Sequence, residues 1–410
     1  MALKDKTIVV GVSGGIAAYK AAELVRILVT RGARVRVMMT RNAAEFITPL
    51  TLQTLSSNPV ATDTFSLTQE SEIGHIRLAD TAEAIVIAPA TANVIAKAAA
   101  GIADDLLTTV LIAARCPIAF APAMNVHMYA HPTVAENVAR LKARGVIIIE
   151  PEEGALACGY EGKGRLCDPM AIAEELERML SAQDLAAERL LITAGPTQEA
   201  IDPVRFVSNR STGKMGFALA RAAWRRGATV RLIAGPSSLP TPRGVERIDT
   251  VSAQQMLEAT SHNFPWCSAL IMAAAVADFR PARPEPEKIK KQARGLKLEM
   301  EGIADELPRL AARKGERLMI GFAAETADLE ENAREKLRRK KLDLIVANDV
   351  TLEGAGFGAD TNIVTLIGQD GRAESFPRLA KDEVADLIFN RLVSLRAAKT
   401  RPLRAVPSSR

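Results

Sequence analysis

The pattern that most constrains this chain is a buried strand, a glycine turn, an amphipathic helix and a second strand, met twice. Residues 7–12 (TIVVGV) form an aliphatic run with no polar alternation, as expected of a parallel strand covered on both faces. SGGI (13–16) reads as a tight turn, residues 17–32 as an amphipathic helix and 33–40 (ARVRVMMT) as the second strand. The series returns as RLLITAG (189–195), a longer loop, GKMGFALARAAWRRG (213–227) and ATVRLIAG (228–235). Both second strands are entered through RGA-x-V-R, a weak internal repeat. A helix that joins a strand to its parallel neighbour builds a doubly wound sheet, so two such openings predict two Rossmann-like α/β domains.

Further strands are expected at 82–90, 116–124 and 145–151 in the first half, and at 268–279, 317–326 and 342–350 in the second. A polar stretch from Ser181 to Glu188 marks the junction. It gives domains at 1–187 and 188–396, followed by a tail, 397–410, whose prolines, serines and arginines predict disorder. No apolar run approaches a membrane span, and the N-terminal one is too short for a secretory signal, so the expected location is the cytoplasm. Cys116, Cys158, Cys167 and Cys267 include no C-x-x-C pair, which argues against a zinc site or a disulfide frame. A formal net charge of +5 suits anionic small ligands, whereas 4% aromatic residues are too few for a surface that stacks single-stranded bases.

The first turn, Gly11 to Ile16, opens a helix whose N-terminal amides can hold a phosphate. A NAD site would want G-x-G-x-x-G and an acidic residue at the end of the second strand. Here the glycine spacing differs and that strand ends in Thr40, whose hydroxyl can bond a phosphate that a carboxylate would repel. The turn therefore favours a mononucleotide over NAD, with a purely structural glycine turn as the alternative. In the second half, STGKMG (211–216) is not a Walker A loop, because position 208 is Ser and position 215 is Met. Ser211, Thr212, Gly213 and Lys214 at a helix start still make an anion site.

Longer motifs carry a resemblance. SGGIAAYK (13–20), IGHI (73–76), APATAN (88–93), ADDLLTT (103–109), PAMNVHM (122–128) and LACGYEGKGR (156–165) resemble the homo-oligomeric flavin-containing cysteine decarboxylases. ITAGPTQEAIDPVRFVSNRSTGKMG (192–216), AAAVADFRP (273–281), KIKKQ (288–292), GFAAET (321–326) and LDLIVANDV (342–350) resemble phosphopantothenate–cysteine ligase. Arg210 and Thr212 are small departures within the longest of these. Their order in one chain is similar to the bacterial bifunctional proteins of coenzyme A synthesis.

For the first half the resemblance implies FMN, contacted by Ser13, Gly15, Thr40, Pro89, Ala90 and Thr91, with ADDLLTT joining from the same or a neighbouring subunit. His75 would meet the substrate carboxylate or move the first proton, Asn125 would bind the carboxylate, and Met128 would line that pocket. Cys158, set among Gly154, Gly159, Gly162 and Gly164, would sit on a mobile flap and protonate the enethiol carbon after CO2 has left. For the second half it implies CTP and Mg2+, with an acyl-cytidylate formed from 4'-phosphopantothenate and opened by L-cysteine. Asn209 would hold and orient that intermediate, and Asp278 would contact CTP or the metal. Lys288, Lys336 and Lys340 would face the phosphates, the last two four apart on one helical face, and Phe322 would sit against the nucleotide. Trimeric decarboxylase contacts and dimeric ligase contacts are the implied assembly. Two rivals keep the flavin fold. A peptidyl-cysteine decarboxylase or flavin prenyl-transferring relative leaves the second half unexplained, and a non-catalytic regulatory subunit sits poorly with an intact His75, Asn125 and Cys158.

Overall fold

Aliphatic runs without polar alternation become the inner strands of two parallel sheets. A computed structural model of the chain describes residues 2–64, 74–155, 159–290, 296–304, 307–325, 328–349, 351–352, 354, 356 and 358–400. The chain divides into two compact units, Met1–Ser181 and Ala182–Arg410.

The first unit is built on β1 (Thr7–Val12), β2 (Arg34–Met39), β3 (Val60–Ala61), β4 (Ala84–Ala90), β5 (Ile118–Pro122) and β6 (Ile147–Ile148). The sheet order is β3-β2-β1-β4-β5-β6, and every pairing is parallel. Side chains alternate between two cores, as a doubly covered sheet requires. Ile8, Val10, Val12, Val86 and Ala88 enter one, whereas Val9, Ile85, Ile87 and Ala90 enter the other.

The second unit repeats the plan with β7 (Arg189–Ala194), β8 (Thr229–Ala234), β9 (Val245–Asp249), β10 (Ala269–Met272), β11 (Leu318–Glu325) and β12 (Leu344–Asp349). Its order, β9-β8-β7-β10-β11-β12, is the same switch-back, and all of these pairs are parallel. Two further strands, β13 (Val364–Gly368) and β14 (Ala373–Ser375), extend the β12 edge antiparallel. Again the faces alternate: Leu344 and Val346 lie in one core, Ile345 and Ala347 in the other.

Three expectations need correction. The strand expected over 268–279 stops at Met272, and the following backbone bonds to the end of β7 and the turn after it. Ala273 N–H donates to Thr193 O (3.2 Å), Ala275 N–H to Gly195 O (2.9 Å) and Ala277 N–H to Thr197 Oγ1 (3.0 Å). Residues 397–400, expected to open a disordered tail, continue the last helix, Lys381–Thr400, with Arg396 clamped on Glu188 by bonds of 2.8 and 2.9 Å, and the rest of that expected tail lies outside the described residues. The domain boundary also moves. Residues 182–187 pack with the second unit, where Leu185 is buried in the core and Asp184 pairs with Arg226. Among the described residues no helix is long and apolar enough to cross a membrane.

These contacts generate a boundary prediction. A fragment starting at Ala182 is expected to unfold as one cooperative unit. A fragment starting at Arg189, which lacks Leu185 and the Glu188 partner of Arg396, is expected to be less stable by about 3 kcal/mol or more. Denaturant midpoints of the two fragments measure the difference, and equal midpoints would count against this boundary.

Candidate functional site

In a doubly wound sheet the strand order reverses at one place, and the helices there leave on opposite faces, opening a crevice beyond the carboxyl ends of the strands. In the first unit that place is between β1 and β4. Ser13 braces it: its hydroxyl donates to Pro89 O (2.7 Å) and accepts from Thr91 N–H (3.0 Å), and the residue is 1% exposed. Ser13 therefore holds the two loops in register through a buried hydroxyl. Pro89 and Ala90 are likewise buried, so they shape the floor from beneath. Gly14 is compelled, since a Cβ there would lie 2.4 Å from Asn42 Cβ. Gly15, Thr40 and Thr91 remain partly open. Thr40 Oγ1, just past β2, is buried without a hydrogen-bond partner among the described residues, and Thr91 begins the helix Ala92–Ala100 without using its side chain as a cap. An anion with its own acceptors suits these hydroxyls and the nearby helix-start amides. ADDLLTT is first a helix start: Asp105 accepts from Thr108 N–H (2.8 Å) and closes a capping box.

Beyond β5, Asn125 caps the short helix Val126–Tyr129, its Oδ1 accepting from His127 N–H (2.8 Å). Met128 on that helix is exposed. A two-stranded hairpin, Glu152–Ala155 with Glu161–Arg165, lies against this helix. Gly164 permits the approach, since a Cβ there would meet Met124 O at 2.4 Å, and Met124 N–H donates to Gly164 O (3.0 Å). The hairpin brings the residues flanking its tip to the Asn125 segment. Cys158 itself lies outside the described residues. His75 stands at the start of the helix Gly74–Thr81, and its buried Nδ1 has no hydrogen-bond partner among the described residues.

In the second unit the reversal is between β7 and β10, and a cavity of about 530 Å³ opens there. It gathers five of the expected residues, Asn209, Asp278, Phe322, Lys336 and Lys340. Asn209 ties the site together, its Nδ2 donating to Ala275 O (3.0 Å) and Val276 O (3.2 Å). It thereby fixes the loop that carries Asp278, which is a loop residue and not the end of a strand. Lys336 Nζ donates to Phe322 O (2.9 Å). The described lining does not include Lys288, which is exposed on a segment held elsewhere. There, Ile289 N–H donates to Asp202 Oδ2 (3.2 Å) and Arg205 Nη2 donates to Ile289 O (3.0 Å).

Two cations of the lining went unread as site residues in the sequence, Arg339 and Lys381. Arg339 had a signal, since it sits between Lys336 and Lys340 in one basic run. Lys381 had none, being brought in from the last helix. With Lys214, the described lining holds five cations, Lys214, Lys336, Arg339, Lys340 and Lys381, against one carboxylate, Asp278. Such a cavity favours a polyanion.

The comparisons with known proteins agree with this division. A family model described as Flavoprotein matches residues 1–181, and one described as DNA/pantothenate metabolism flavoprotein C-terminal domain matches residues 185–395. The chain is 51% identical over 397 residues to the coenzyme A biosynthesis bifunctional protein CoaBC of Bacillus subtilis, covering 96% of this chain and 98% of that one. It is 46% identical over 406 residues to the protein of the same description from Escherichia coli strain K12, covering 98% and 100%. Among solved structures, the C-terminal domain of a coenzyme A biosynthesis bifunctional protein is 40% identical and covers 53% of this chain and 100% of its own, with a TM-score of 0.46.

The hairpin beside Asn125 carries a pH prediction. Glu150 accepts from Tyr129 Oη (2.9 Å) and pairs with Lys142 (2.8 Å) and Lys163 (2.9 Å), linking two helices to the hairpin. Partial burial opposes its ionisation, but these bonds outweigh it and hold the carboxyl at about 2, below the ordinary 4.5. A depressed native pKa gives support that is complete above pH 4.5 and lost as the pH falls towards about 2. Hydrogen-exchange protection of residues 152–155 and 161–165, corrected for intrinsic rates, is expected to fall through that window. In Glu150→Gln it is expected to be low throughout. Protection that stays flat in the native protein would contradict the assignment.

Proposed function

This chain belongs to the family of coenzyme A biosynthesis bifunctional proteins, and from that premise we propose how each unit works. The enzyme has a flavoprotein decarboxylase unit and a ligase unit. The second unit activates the carboxylate of 4'-phosphopantothenate with CTP and joins it to L-cysteine. The first unit decarboxylates the resulting 4'-phosphopantothenoylcysteine to 4'-phosphopantetheine. The observation that carries the reading is the pair of switch points in one chain, one offering the unpartnered Thr40 hydroxyl and the other five cations against one carboxylate.

FMN fits the first crevice: Thr40, Gly15, Thr91 and the helix-start amides would hold its phosphate and ring edge, with Ser13 bracing them. Bound flavin supplies the two-electron oxidation of the cysteinyl side chain and returns those electrons later. Asn125, through its amide NH2, would grip the substrate carboxylate, with Met128 against the same substrate. His75 would take the first proton at its ring, and Cys158 would return a proton to carbon once CO2 has gone. Ile16 and Tyr19 are exposed on the helical turn that follows Gly15, which supports a homo-oligomer in which a neighbouring copy covers them. Trimeric contacts at the first unit and dimeric contacts at the second complete that assembly. The substrates are a free thiol and a nucleotide, which suits the cytoplasm.

In the second unit, Lys336 and Lys340 would neutralise the triphosphate, Phe322 would lie against the nucleotide, and Asn209 would orient the acyl-cytidylate by fixing the 275–278 loop. Lys288 would join from its own segment. Among the described residues no group of three His, Cys, Asp or Glu could hold a metal. Mg2+ would arrive on the phosphates, with Asp278 as its protein carboxylate.

Incubation of the purified protein with 4'-phosphopantothenate, cysteine, CTP and Mg2+ is expected to give 4'-phosphopantetheine by mass, and denaturation is expected to release FMN. Finding FAD, NAD or no cofactor in a folded preparation would sink the flavin reading, and absence of the amide product would sink the ligase reading. Cys158→Ser replaces the thiol with a far weaker acid. In single-turnover mixing it is expected to reduce the flavin once and leave an enethiol two hydrogens short of the product, whereas His75→Asn is expected to leave the flavin oxidised. Normal turnover by Cys158→Ser, or failure before flavin reduction, removes its late role.

A further inference from the structure

Beside the nucleotide cavity lies a second one of about 350 Å³, and Lys214 and Lys381 line both. Each lysine occupies an electrostatically poor position. Lys214 begins the helix Lys214–Arg225 and Lys381 begins the helix Lys381–Thr400, so both cations stand at the positive ends of helix dipoles. Lys381 is 7% exposed, and its ammonium donates to Ala359 O, a neutral acceptor. Burial first, and then the charge of Lys214, press it below the ordinary lysine value against the opposing pull of Asp360. The acids of its own first turn are engaged: Asp382 pairs with Arg221 (2.6 Å), and Glu383 accepts from Ala380 N–H (2.9 Å). Lys214 pairs with Asp360 (2.7 Å), whose side chain is 88% exposed, so that carboxylate is weakly held. Two like charges at two helix starts, which among the described residues share the exposed carboxylate of Asp360, are unfavourable in themselves, and a multiply charged anion removes the conflict.

We propose that Lys381 and Lys214 form a diphosphate subsite at the junction of the two cavities, which holds the outer two phosphates of the nucleotide and then the diphosphate it releases. The inference rests on the ligase reading above. In the step it serves, a carboxylate oxygen of the substrate bonds to the α-phosphorus as the bond from that phosphorus to the bridging oxygen breaks. The electron pair departs on the diphosphate, and no proton or redox equivalent is exchanged. The two ammonium groups stabilise charge that grows on the leaving group, which the other cations of the cavity share with the α-phosphate.

Calorimetric titration of the full chain with inorganic diphosphate and, separately, with CMP, both with Mg2+, tests this. Lys381→Gln and Lys214→Gln are each expected to weaken diphosphate binding by about tenfold or more and CMP binding by less than about twofold. Product inhibition by diphosphate should weaken by the same factor. Diphosphate and CMP weakening together would make the lysines structural, and unchanged diphosphate affinity would overturn the subsite. Asp360→Asn, at an exposed position that folding tolerates, is expected to tighten diphosphate severalfold, and no tightening counts equally against the proposal. Failure of the ligase reading is seen apart from this, as a wild-type protein that makes no amide product from CTP.

Discussion

A parallel sheet sealed by helices on both faces leaves backbone polar groups and helix starts available for chemistry only beyond the ends of its strands. Everything functional here follows from that restriction. In both units the order turns back at the first strand, so the first and fourth strands lie side by side with their loops diverging. Ser13 fastens one such pair of loops, and the bonds from Ala273, Ala275 and Ala277 to the 193–197 segment fasten the other. Side chains placed on these loops are held by the sheet, not by their own flexible stems.

The two crevices then diverge in electrostatics. The first offers hydroxyls and helix-start amides, groups that select by direction more than by charge. The second concentrates cations from three helices, near residues 214, 336–340 and 381, around one aspartate. Cations 336, 339 and 340 sit at a helix C-terminus, where the dipole favours them, whereas 214 and 381 sit where it does not. The first group is stable without a ligand, and the second is relieved by one.

Much of the fold was legible. Apolar runs named the inner strands because a doubly covered parallel strand has no polar face to confuse the pattern, and β2 ends at Met39, one residue before the Thr40 that the sequence pattern gives. The failures share a cause. The run from Ala269 to Ala277 is uniformly apolar, so nothing local marks Met272 as the place where the backbone changes partner. Residues 397–400 look like a tail, yet they continue a helix that the Arg396–Glu188 clamp holds across nearly the whole second unit. Lys381 shows the same limit: it stands in no suggestive motif and yet lies in the cavity lining.

Sequence by itself determined the two doubly wound sheets, their boundaries to within a few residues, the family and most of the residues at the switch points, because period, glycine placement and long motifs are local properties. Tertiary structure alone decided which of those groups are buried and which line a cavity. Ser13 became a buried brace because a second loop arrives to take its hydroxyl. Lys381 became a site residue because the last helix packs against helix Lys214–Arg225, bringing two lysines some 167 positions apart (381 − 214) to one wall. Charge and hydrogen bonding act through space, and only the folded chain fixes those distances.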